Sequence, residues 1–216
     1  MIKIGIDVGS TTAKLVAVDE NDNLLFSKYE RHNAKAKETI LSFLKELLSE
    51  IGDKDISVRI TGSIGMGISE KCSLPFVQEV VAAAKAIQKD YSHVTSMIDI
   101  GGEDAKVVFF NDAEATDLRM NGNCAGGTGA FIDQMAIILG VNIDELNQLA
   151  MNATQVYPIA SRCGVFCKTD IQNLIAKNVS RENIAASIFR AVAVQTVVTL
   201  AHGCDITTPV LFCGGP

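Results

Sequence analysis

The first part of the chain contains three short runs rich in apolar residues, the first of which alternates apolar with other residues, and this pattern predicts three consecutive β-strands. Apolar residues then recur at helical spacing from residue 37 until Gly52 ends the run, which predicts a helix. The elements predicted for this part are strands at 2–8, 13–19 and 24–30, a helix at 37–52, a strand at 56–62, a glycine-punctuated loop at 63–68 and a helix at 77–90.

The same succession of strands begins again at residue 94. The elements predicted from there are strands at 94–102, 105–111 and 114–122, helices at 129–139, 143–150, 168–177 and 181–202, and a short strand at 210–215. Strands and helices that succeed one another in this way indicate an α/β protein. The restart divides it into a first domain at 1–93 and a second domain at 94–216.

Two segments share one layout, IGIDVGSTTAKLVAV at 4–18 and MIDIGGEDAKVVFF at 97–110. In each, an apolar strand ends in Asp, one residue and a Gly follow, and Ala-Lys opens a second apolar strand after a short polar turn. Two ordinary hairpins would need only the glycines, whereas the shared Asp and Ala-Lys favour a duplication. The repeat therefore predicts two duplicated lobes.

Bulk composition narrows the classes of function. The 216 residues carry a formal charge of −6 and a mean hydropathy of +0.24, which are typical of a well-packed globular protein. Nucleic-acid binding is disfavoured because it needs a basic surface. The apolar stretch 191–201 is too short to span a bilayer and suits a buried helix, and Asp7 interrupts what would be the apolar part of a signal peptide. We therefore expect a cytoplasmic protein with neither a nucleic-acid nor a membrane partner.

Both repeated loops suit a phosphate and its metal. A carboxylate at the end of a strand is a hard oxygen ligand for Mg²⁺, which makes Asp7 and Asp99 the candidate catalytic residues. Glycines let the backbone approach an anion, and neighbouring hydroxyls and lysines can contact it. Two such loops facing each other would clamp a polyphosphate. The other candidates in the two loops are Gly9, Ser10, Thr11, Thr12, Lys14, Gly101, Gly102, Glu103, Asp104 and Lys106.

Other glycine-rich stretches give weaker indications. No P-loop pattern occurs, and the dinucleotide pattern fails because Ile132 stands where its third glycine belongs after Gly127 and Gly129. The turn at Gly214 and Gly215 follows an apolar strand. It is a further candidate for close approach to a nucleotide, as is Gly127.

Six cysteines occur, at positions 72, 124, 163, 167, 204 and 213. Cys124 lies among glycines just before a predicted helix, where a disulfide partner, a nucleophile, a metal ligand and a small buried residue are all open interpretations. A cytoplasmic compartment keeps thiols reduced, which disfavours disulfides. Free cysteines are usually buried, so we expect packing roles for most of them, including Cys72, Cys204 and Cys213.

Together these motifs resemble a known superfamily. IGIDVGSTTAK and MIDIGGEDAK resemble the two phosphate loops of the actin, heat-shock chaperone and sugar-kinase superfamily, and VLFCGG resembles its adenosine motif. MNGNCAGGTGAF at 120–131 and PIASRCGVF at 158–166 resemble the cysteine motifs of the activators of 2-hydroxyacyl-CoA dehydratases, relatives of the benzoyl-CoA reductase ATPase subunits. The resemblance implies two ribonuclease-H-like lobes in an actin-like ATPase fold.

The resemblance also implies a function. In such activators each subunit gives two cysteines, here Cys124 and Cys163, to a [4Fe–4S] cluster held between the halves of a homodimer. Hydrolysis of ATP to ADP with Mg²⁺ is coupled there to delivery of one low-potential electron to the dehydratase. The electron comes from a reduced ferredoxin or flavodoxin. Asp7 and Asp99 would organise the metal and the attacking water, and Lys14 or Lys106 would contact phosphate.

Ligand chemistry agrees with this implication. Four thiolates are usual for a [4Fe–4S] cluster, so a chain that offers two needs a partner. A cysteine before a helix N-terminus has its thiolate favoured by unpaired N–H groups, and the glycines of CAGGTG are expected to leave backbone donors free to reach sulfur. Cys167 lies four residues after Cys163 and is a conceivable nearby ligand, although the family pattern does not require it.

Two departures and two alternatives accompany the resemblance. Glu103 stands where many activators carry Gln, and the chain ends at CGGP where members of the superfamily continue, so we expect a longer natural protein. A small-molecule kinase of the same fold, with Asp99 or Asp104 as its base, has no use for the cysteine pair. A non-catalytic nucleotide-dependent sensor or assembly module would show no ATP turnover.

Overall fold

The structure is a computed structural model that describes residues 1–111, 114–121, 126–160 and 164–214. The chain divides into two units, Met1–Tyr91 and Ser92–Pro216. Each unit contains a four-stranded sheet and its own hydrophobic core.

The first unit contains every strand predicted for it. Its elements are β1 (Ile2–Val8), β2 (Thr12–Val18), β3 (Leu24–Arg31), α1 (Ala36–Ile51), β4 (Ile56–Thr61), α2 (Gly65–Cys72) and α3 (Glu79–Asp90). The strand order is β3-β2-β1-β4, with β1 antiparallel to β2 and parallel to β4. A central β1 places the segment that leads into the first repeated loop in the middle of the sheet.

Alternation of side chains explains how β1 is held. Successive residues of a strand point to opposite faces, so Ile4, Ile6 and Val8 lie on one face of the sheet. Phe43 and Leu47 of α1 belong to the same core cluster, and all five side chains are at most 5% exposed. The end of β1 is therefore a fixed base for the loop that follows it.

The prediction of a loop at 63–68 is wrong, because a helix begins within this segment. Helix α2 begins at Gly65 and buries Gly65 and Ser69 on one face. Gly65 lies against β4, because a Cβ at that position would come within 2.9 Å of the Cγ2 of Ile60. Glycine is a poor helix former, and this close packing explains why it stands inside a helix here.

The second unit repeats the plan of the first. Its elements are β5 (Ser96–Ile100), β6 (Ala105–Asn111), β7 (Glu114–Met120), α4 (Gly129–Leu139), α5 (Ile143–Met151), α6 (Gly164–Ala176), α7 (Arg181–Thr196), a π-helical turn (Val197–Ala201) and β8 (Val210–Gly214). The strand order is β7-β6-β5-β8, with β5 antiparallel to β6 and parallel to β8. Helix α6 begins earlier than the predicted 168–177.

Strand register shows the duplication residue by residue. Asp7 pairs with Lys14 across β1 and β2, and Asp99 pairs with Lys106 across β5 and β6. In each sheet the Asp-bearing strand has a parallel neighbour on its other side. The α/β fold of two duplicated lobes that the repeat predicts is confirmed.

The last apolar stretch belongs to a helical run that matches the predicted helix at 181–202 to within one residue. Helix α7 and the π-helical turn form one run, Arg181–Ala201, which is long and apolar enough by length and composition to cross a membrane. The prediction that the stretch is too short to span a bilayer is therefore wrong, because it counts only residues 191–201 and not the whole helical run. Ile184, Ile188 and Leu200 are at most 1% exposed within the second unit, which agrees with the predicted buried helix.

Candidate functional site

The first repeated loop is a tight hairpin between β1 and β2. The N–H of Gly9 donates to the carbonyl oxygen of Thr12 at 3.0 Å, which closes the turn. The Nζ of Lys14 lies 2.9 Å from the Oδ2 of Asp7, and both side chains remain partly exposed. The strand-end carboxylate and its lysine therefore form an ion pair that a ligand in solution can reach.

The hydroxyl groups of this hairpin differ in exposure. Ser10 and Thr11 at the tip are partly exposed, whereas Thr12 opens β2 and is only 6% exposed. Thr12 is thus part of the packed sheet. Ser10 and Thr11 are better placed to meet a ligand from solution.

The second repeated loop closes in the same way. The N–H of Gly101 donates to the carbonyl oxygen of Asp104 at 2.8 Å. Glu103 is exposed at the tip, and Asp99 is partly exposed at the end of β5. The Nζ of Lys106 lies 3.0 Å from the Oδ2 of Asp104, and the Lys106 side chain is 5% exposed. This loop therefore carries three carboxylates close along the chain.

Each lysine contacts a carboxylate of its own unit. Lys14 contacts Asp7 at the end of the preceding strand, and Lys106 contacts Asp104 within the loop. Asp104 occupies the place that Thr12 has in the first repeat. The more accessible Lys14 is the better candidate of the two to reach a phosphate.

Each unit also brings a glycine against the end of its Asp-bearing strand. Gly62 follows β4 with a φ of 95°, and Gly214 ends β8 with a φ of 121°. A Cβ at Gly62 would overlap the backbone of Val8, and one at Gly214 would overlap the backbone of Ile100. Both positions therefore require glycine. Gly215, a predicted site residue, lies outside the described residues.

The first cysteine segment is attached to the second loop on its N-terminal side. Cys124 itself, within the segment 122–125, lies outside the described residues. The N–H of Asn121 donates to the carbonyl oxygen of Ala105 at 3.0 Å, and the Oδ1 of Asn121 accepts from the N–H of Ala105 at 2.8 Å. Asn121 is thus held to the residue that follows the loop.

The same segment is attached to the loop on its C-terminal side. The N–H of Gly129 donates to the carbonyl oxygen of Gly101 at 2.9 Å, and the N–H of Ala130 donates to that of Gly102 at 2.8 Å. The sequence predicts that the N–H groups at this helix N-terminus stay free for sulfur. This is wrong for the N–H groups of Gly129 and Ala130, because carbonyl oxygens of the second loop accept their hydrogen bonds.

Gly127 approaches a helix. Its φ is 83°, and a Cβ there would come within 3.1 Å of the Cγ of Gln195 in α7. Gln195 and Thr196 are buried, and their Oε1 and Oγ1 atoms have no hydrogen-bond partner in the part of the chain that the structure describes. The π-helical turn follows directly, and such turns often occur near functional sites.

The second cysteine segment leads into α6, and the first turn of α6 packs against the first turn of α4, which follows the first cysteine segment. Cys163 lies outside the described residues, and α6 begins at the next residue, Gly164. A Cβ at Gly164 would come within 3.5 Å of the ring of Phe131, in the first turn of α4. On the other side, the N–H of Ala160 donates to the Oδ2 of Asp170 at 2.8 Å. The helix turns that follow the two predicted ligands are therefore in contact.

The four cysteines that the structure describes lie in different surroundings. Cys72 is exposed, so the packing role expected for it is wrong. Cys167 is fully buried, and burial raises the pKa of its thiol to about 11. Cys204 and Cys213 are partly buried, and the Sγ of Cys204 lies 2.8 Å from the Nη2 of Arg119. Within the described ranges, no three metal-ligating side chains converge.

Sequence reasoning missed two polar side chains that bind the loops. The Nε2 of His32 lies 3.0 Å from the carbonyl oxygen of Gly9, and Asn121 binds Ala105. Each is a single polar residue just after a strand, which forms no motif. Only the tertiary fold brings them to the loops.

A family model and a known protein match nearly the whole chain. The model described as the BadF/BadG/BcrA/BcrD ATPase family matches residues 4–216. The (R)-2-hydroxyglutaryl-CoA dehydratase activating ATPase of Acidaminococcus fermentans is 29% identical over 214 residues, which cover 98% of this chain and 82% of that protein.

Two solved structures are similar over the full chain. The crystal structure of component A of the (R)-2-hydroxyglutaryl-CoA dehydratase of Acidaminococcus fermentans matches with a TM-score of 0.90 at 28% identity and covers 100% of this chain and 83% of that one. The activator of the 2-hydroxyisocaproyl-CoA dehydratase of Clostridium difficile, with bound ADPNP, matches with a TM-score of 0.87 at 29% identity and covers 100% and 80%.

Proposed function

We propose that this chain, which belongs to the BadF/BadG/BcrA/BcrD ATPase family, hydrolyses ATP to drive a low-potential electron from an iron–sulfur cluster to a 2-hydroxyacyl-CoA dehydratase. Membership confirms the predicted ATPase class and the predicted activator resemblance, with its actin-like ATPase fold. Similar proteins activate 2-hydroxyacyl-CoA dehydratases, which supports such an enzyme as the partner. The cluster and the electron transfer are the proposed part.

ATP and its product ADP bind, in this proposal, to the two hairpins. Asp7 and Asp99 hold Mg²⁺ directly or through water and orient the attacking water. Lys14 contacts phosphate, while Lys106 stays with Asp104 and orders the second hairpin. The ADPNP bound by the similar activator supports a nucleotide as the ligand.

Cys124 and Cys163 supply two thiolates per subunit to a [4Fe–4S] cluster in this proposal, and a homodimer supplies the other two. Such a cluster stores one electron at low potential. The contact between Phe131 and Gly164, which follow the two cysteines in the chain, supports a common site. Cys167 is not among the proposed ligands, because it is 0% exposed and packs within the hydrophobic core of the second unit.

The observation that carries the proposal is the attachment of the first cysteine segment to the second hairpin. Asn121 and Gly129 stand on either side of Cys124 and bind Ala105 and Gly101, at the two ends of that hairpin. A nucleotide that shifts the hairpin therefore shifts both attachment points of the cysteine segment. This is the physical connection that coupling of hydrolysis to the cluster requires.

The remaining partners follow from the same proposal. The electron donor is a reduced ferredoxin or flavodoxin, since the cluster accepts one electron at low potential. The protein works as a homodimer in the cytoplasm, where thiols stay reduced. Its net charge of −6 gives no support to a nucleic-acid partner.

Gly129→Pro tests this connection. Proline lacks an N–H, so the carbonyl of Gly101 loses its donor, while the helix start accepts proline because Thr128 before it is extended. In the wild-type protein we expect ATP to change the rate of iron removal by a chelator severalfold, because the hairpin that binds ATP is attached to the cysteine segment. Gly129→Pro is expected to keep ATP binding and iron but to lose most of this response.

Gly129→Ala is the matched control. It adds a side chain at the same position but keeps the N–H, so we expect it to respond to ATP as the wild type does. A Gly129→Pro protein with the full response would contradict the connection. A wild-type cluster that ignores ATP would contradict the coupling itself.

A further inference from the structure

His32 is buried beside the first hairpin. It follows β3 and is 4% exposed. Its backbone N–H donates to the carbonyl oxygen of Thr11 at 3.2 Å, and its Nε2 lies 3.0 Å from the carbonyl oxygen of Gly9. One residue therefore binds two carbonyls of the same hairpin.

The hydrogen bond to Gly9 fixes the tautomer of the ring. A carbonyl oxygen only accepts, so the Nε2 of His32 carries a proton and donates it. The Nδ1 is buried and has no hydrogen-bond partner among the described residues. Within that part of the chain, the polar contact of the ring is with the hairpin.

The backbone of His32 is fixed by the turn that leads into α1. Asn33 and Ala34 have left-handed φ values of 46° and 62°, and the N–H of Lys35 donates to the carbonyl oxygen of His32 at 2.7 Å. Residues other than glycine adopt this conformation at an energetic cost, so the surrounding packing must hold it. The imidazole therefore reaches Gly9 from a rigid base.

A fixed carbonyl also fixes the amide of the same peptide. In a trans peptide the C=O and the following N–H point in opposite directions. Because the carbonyl of Gly9 is turned toward His32, the N–H of Ser10 points away from His32. A loop that binds an anion needs this arrangement, with its N–H groups presented and its carbonyl oxygens turned back.

The second unit holds the equivalent carbonyl with a different donor. Gly101 has the place of Gly9 in the repeat, and its carbonyl oxygen accepts from the N–H of Gly129 at 2.9 Å. In both hairpins, therefore, the carbonyl oxygen of the equivalent glycine accepts a hydrogen bond from a residue outside the hairpin. A backbone amide serves in one unit and the His32 side chain in the other, so the shared feature is the orientation of the glycine peptide.

We propose that His32 is a positioning residue that turns the Ser10 amide toward a phosphate of bound ATP. This inference rests on the proposed role of the hairpin in binding ATP and adds a residue to it. His32 acts through Gly9 and does not touch the nucleotide or the reacting atoms.

His32→Leu removes the donor and keeps an apolar side chain in the core. We expect the KM for ATP to rise roughly tenfold and kcat to stay within about twofold, because the carbonyl of Gly9 is free to turn toward the phosphates. His32→Gln places an amide N–H near the position of Nε2 and is expected to restore the KM to within about threefold. Steady-state ATP hydrolysis by the full chain measures both.

Ser69→Ala is the matched control in the same unit. Ser69 is 6% exposed, and its Oγ donates to the carbonyl oxygen of Leu74 rather than to the hairpin. Its loss is expected to lower the melting temperature while the KM for ATP stays within about twofold of wild type. A wild-type KM in His32→Leu, or an equal rise in Ser69→Ala, overturns the role of His32 and leaves the proposed function standing. A wild-type protein that does not turn over ATP overturns both.

The ¹⁵N chemical shifts of the His32 ring test the same inference on the unmodified chain. This measurement decides the question if His32→Leu does not fold. A ring that is protonated on Nε2, and whose resonances shift when ADPNP is added, is the expected result. A ring protonated on Nδ1, or one that ignores bound ADPNP, overturns the inference.

Discussion

Replacing Asp7 by Asn is expected to lower the kcat of ATP hydrolysis at least about a hundredfold with little effect on the fold. Asn has the same shape but no charge, so the proposed Mg²⁺ site loses an anionic ligand. Lys14, whose Nζ lies 2.9 Å from the Asp7 carboxylate, also loses its counter-charge at that site. The rate is measured with saturating Mg·ATP, and the melting temperature is measured alongside it.

Asp22→Asn is the control for the loss of a paired carboxylate in the same unit. Lys89 and Lys3 hold the pKa of Asp22 at about 2, so this carboxylate is also charged and paired. Asn tolerates the left-handed φ of 63° at this position as well as Asp does. We expect Asp22→Asn to keep kcat within about twofold, since it lies outside the hairpin. Wild-type turnover in Asp7→Asn would remove Asp7 from the catalytic site.

Replacing Gly62 by Ala is expected to lower the free energy of unfolding by at least about 3 kcal/mol. The φ of 95° is strained for any residue with a Cβ, and that Cβ would overlap the backbone of Val8. The N–H of Ile64 donates to the carbonyl oxygen of Val8 at 2.9 Å, so the two backbones cannot separate without losing this bond. Urea unfolding of the purified chain gives the difference.

Gly67→Ala is the matched control for this substitution. Gly67 lies in α2 with open space around its Cα, so an added methyl group meets nothing there. Alanine is the better helix former, and we expect this variant to be as stable as wild type or up to about 1 kcal/mol more stable. If both variants unfold at the same urea concentration, the close approach of Gly62 to β1 does not contribute to the free energy of unfolding.

Periodicity predicted most of the fold because most elements bury one face. The bounds predicted for β6 and α4 are those observed, since each is an apolar run that polar or glycine residues delimit. Helix α2 was missed because its glycines are typical of loops, and only the contact of Gly65 with β4 explains them. The π-helical turn at Val197–Ala201 has no sequence signal, because its altered hydrogen bonding depends on what packs against it.

The candidate site was predictable where it is repeated and local. The sequence contains the same hairpin layout twice. This layout predicts that Asp7 pairs with Lys14 and that Asp99 pairs with Lys106, as observed. The donor that His32 gives to the first hairpin was not predictable, since the contact joins residues far apart in the chain. The attachment of α4 to the second hairpin is made by backbone groups, which every residue type carries.

Iron binding tests the central claim, that an ATPase of this fold carries a cluster on Cys124 and Cys163. The protein is purified anaerobically, and iron, sulfide, molar mass and the absorption spectrum are determined on the same sample. Cys124→Ser and Cys163→Ser remove one proposed ligand each. Cys72→Ser removes an exposed thiol that is not a proposed ligand and serves as the control.

The account predicts about four irons and four sulfides per dimer in the wild type and in Cys72→Ser. It predicts loss of the cluster in Cys124→Ser and in Cys163→Ser, with the fold and ATP binding retained. A colourless wild-type protein without iron under strict anaerobiosis would contradict it, as would a cluster that survives both substitutions.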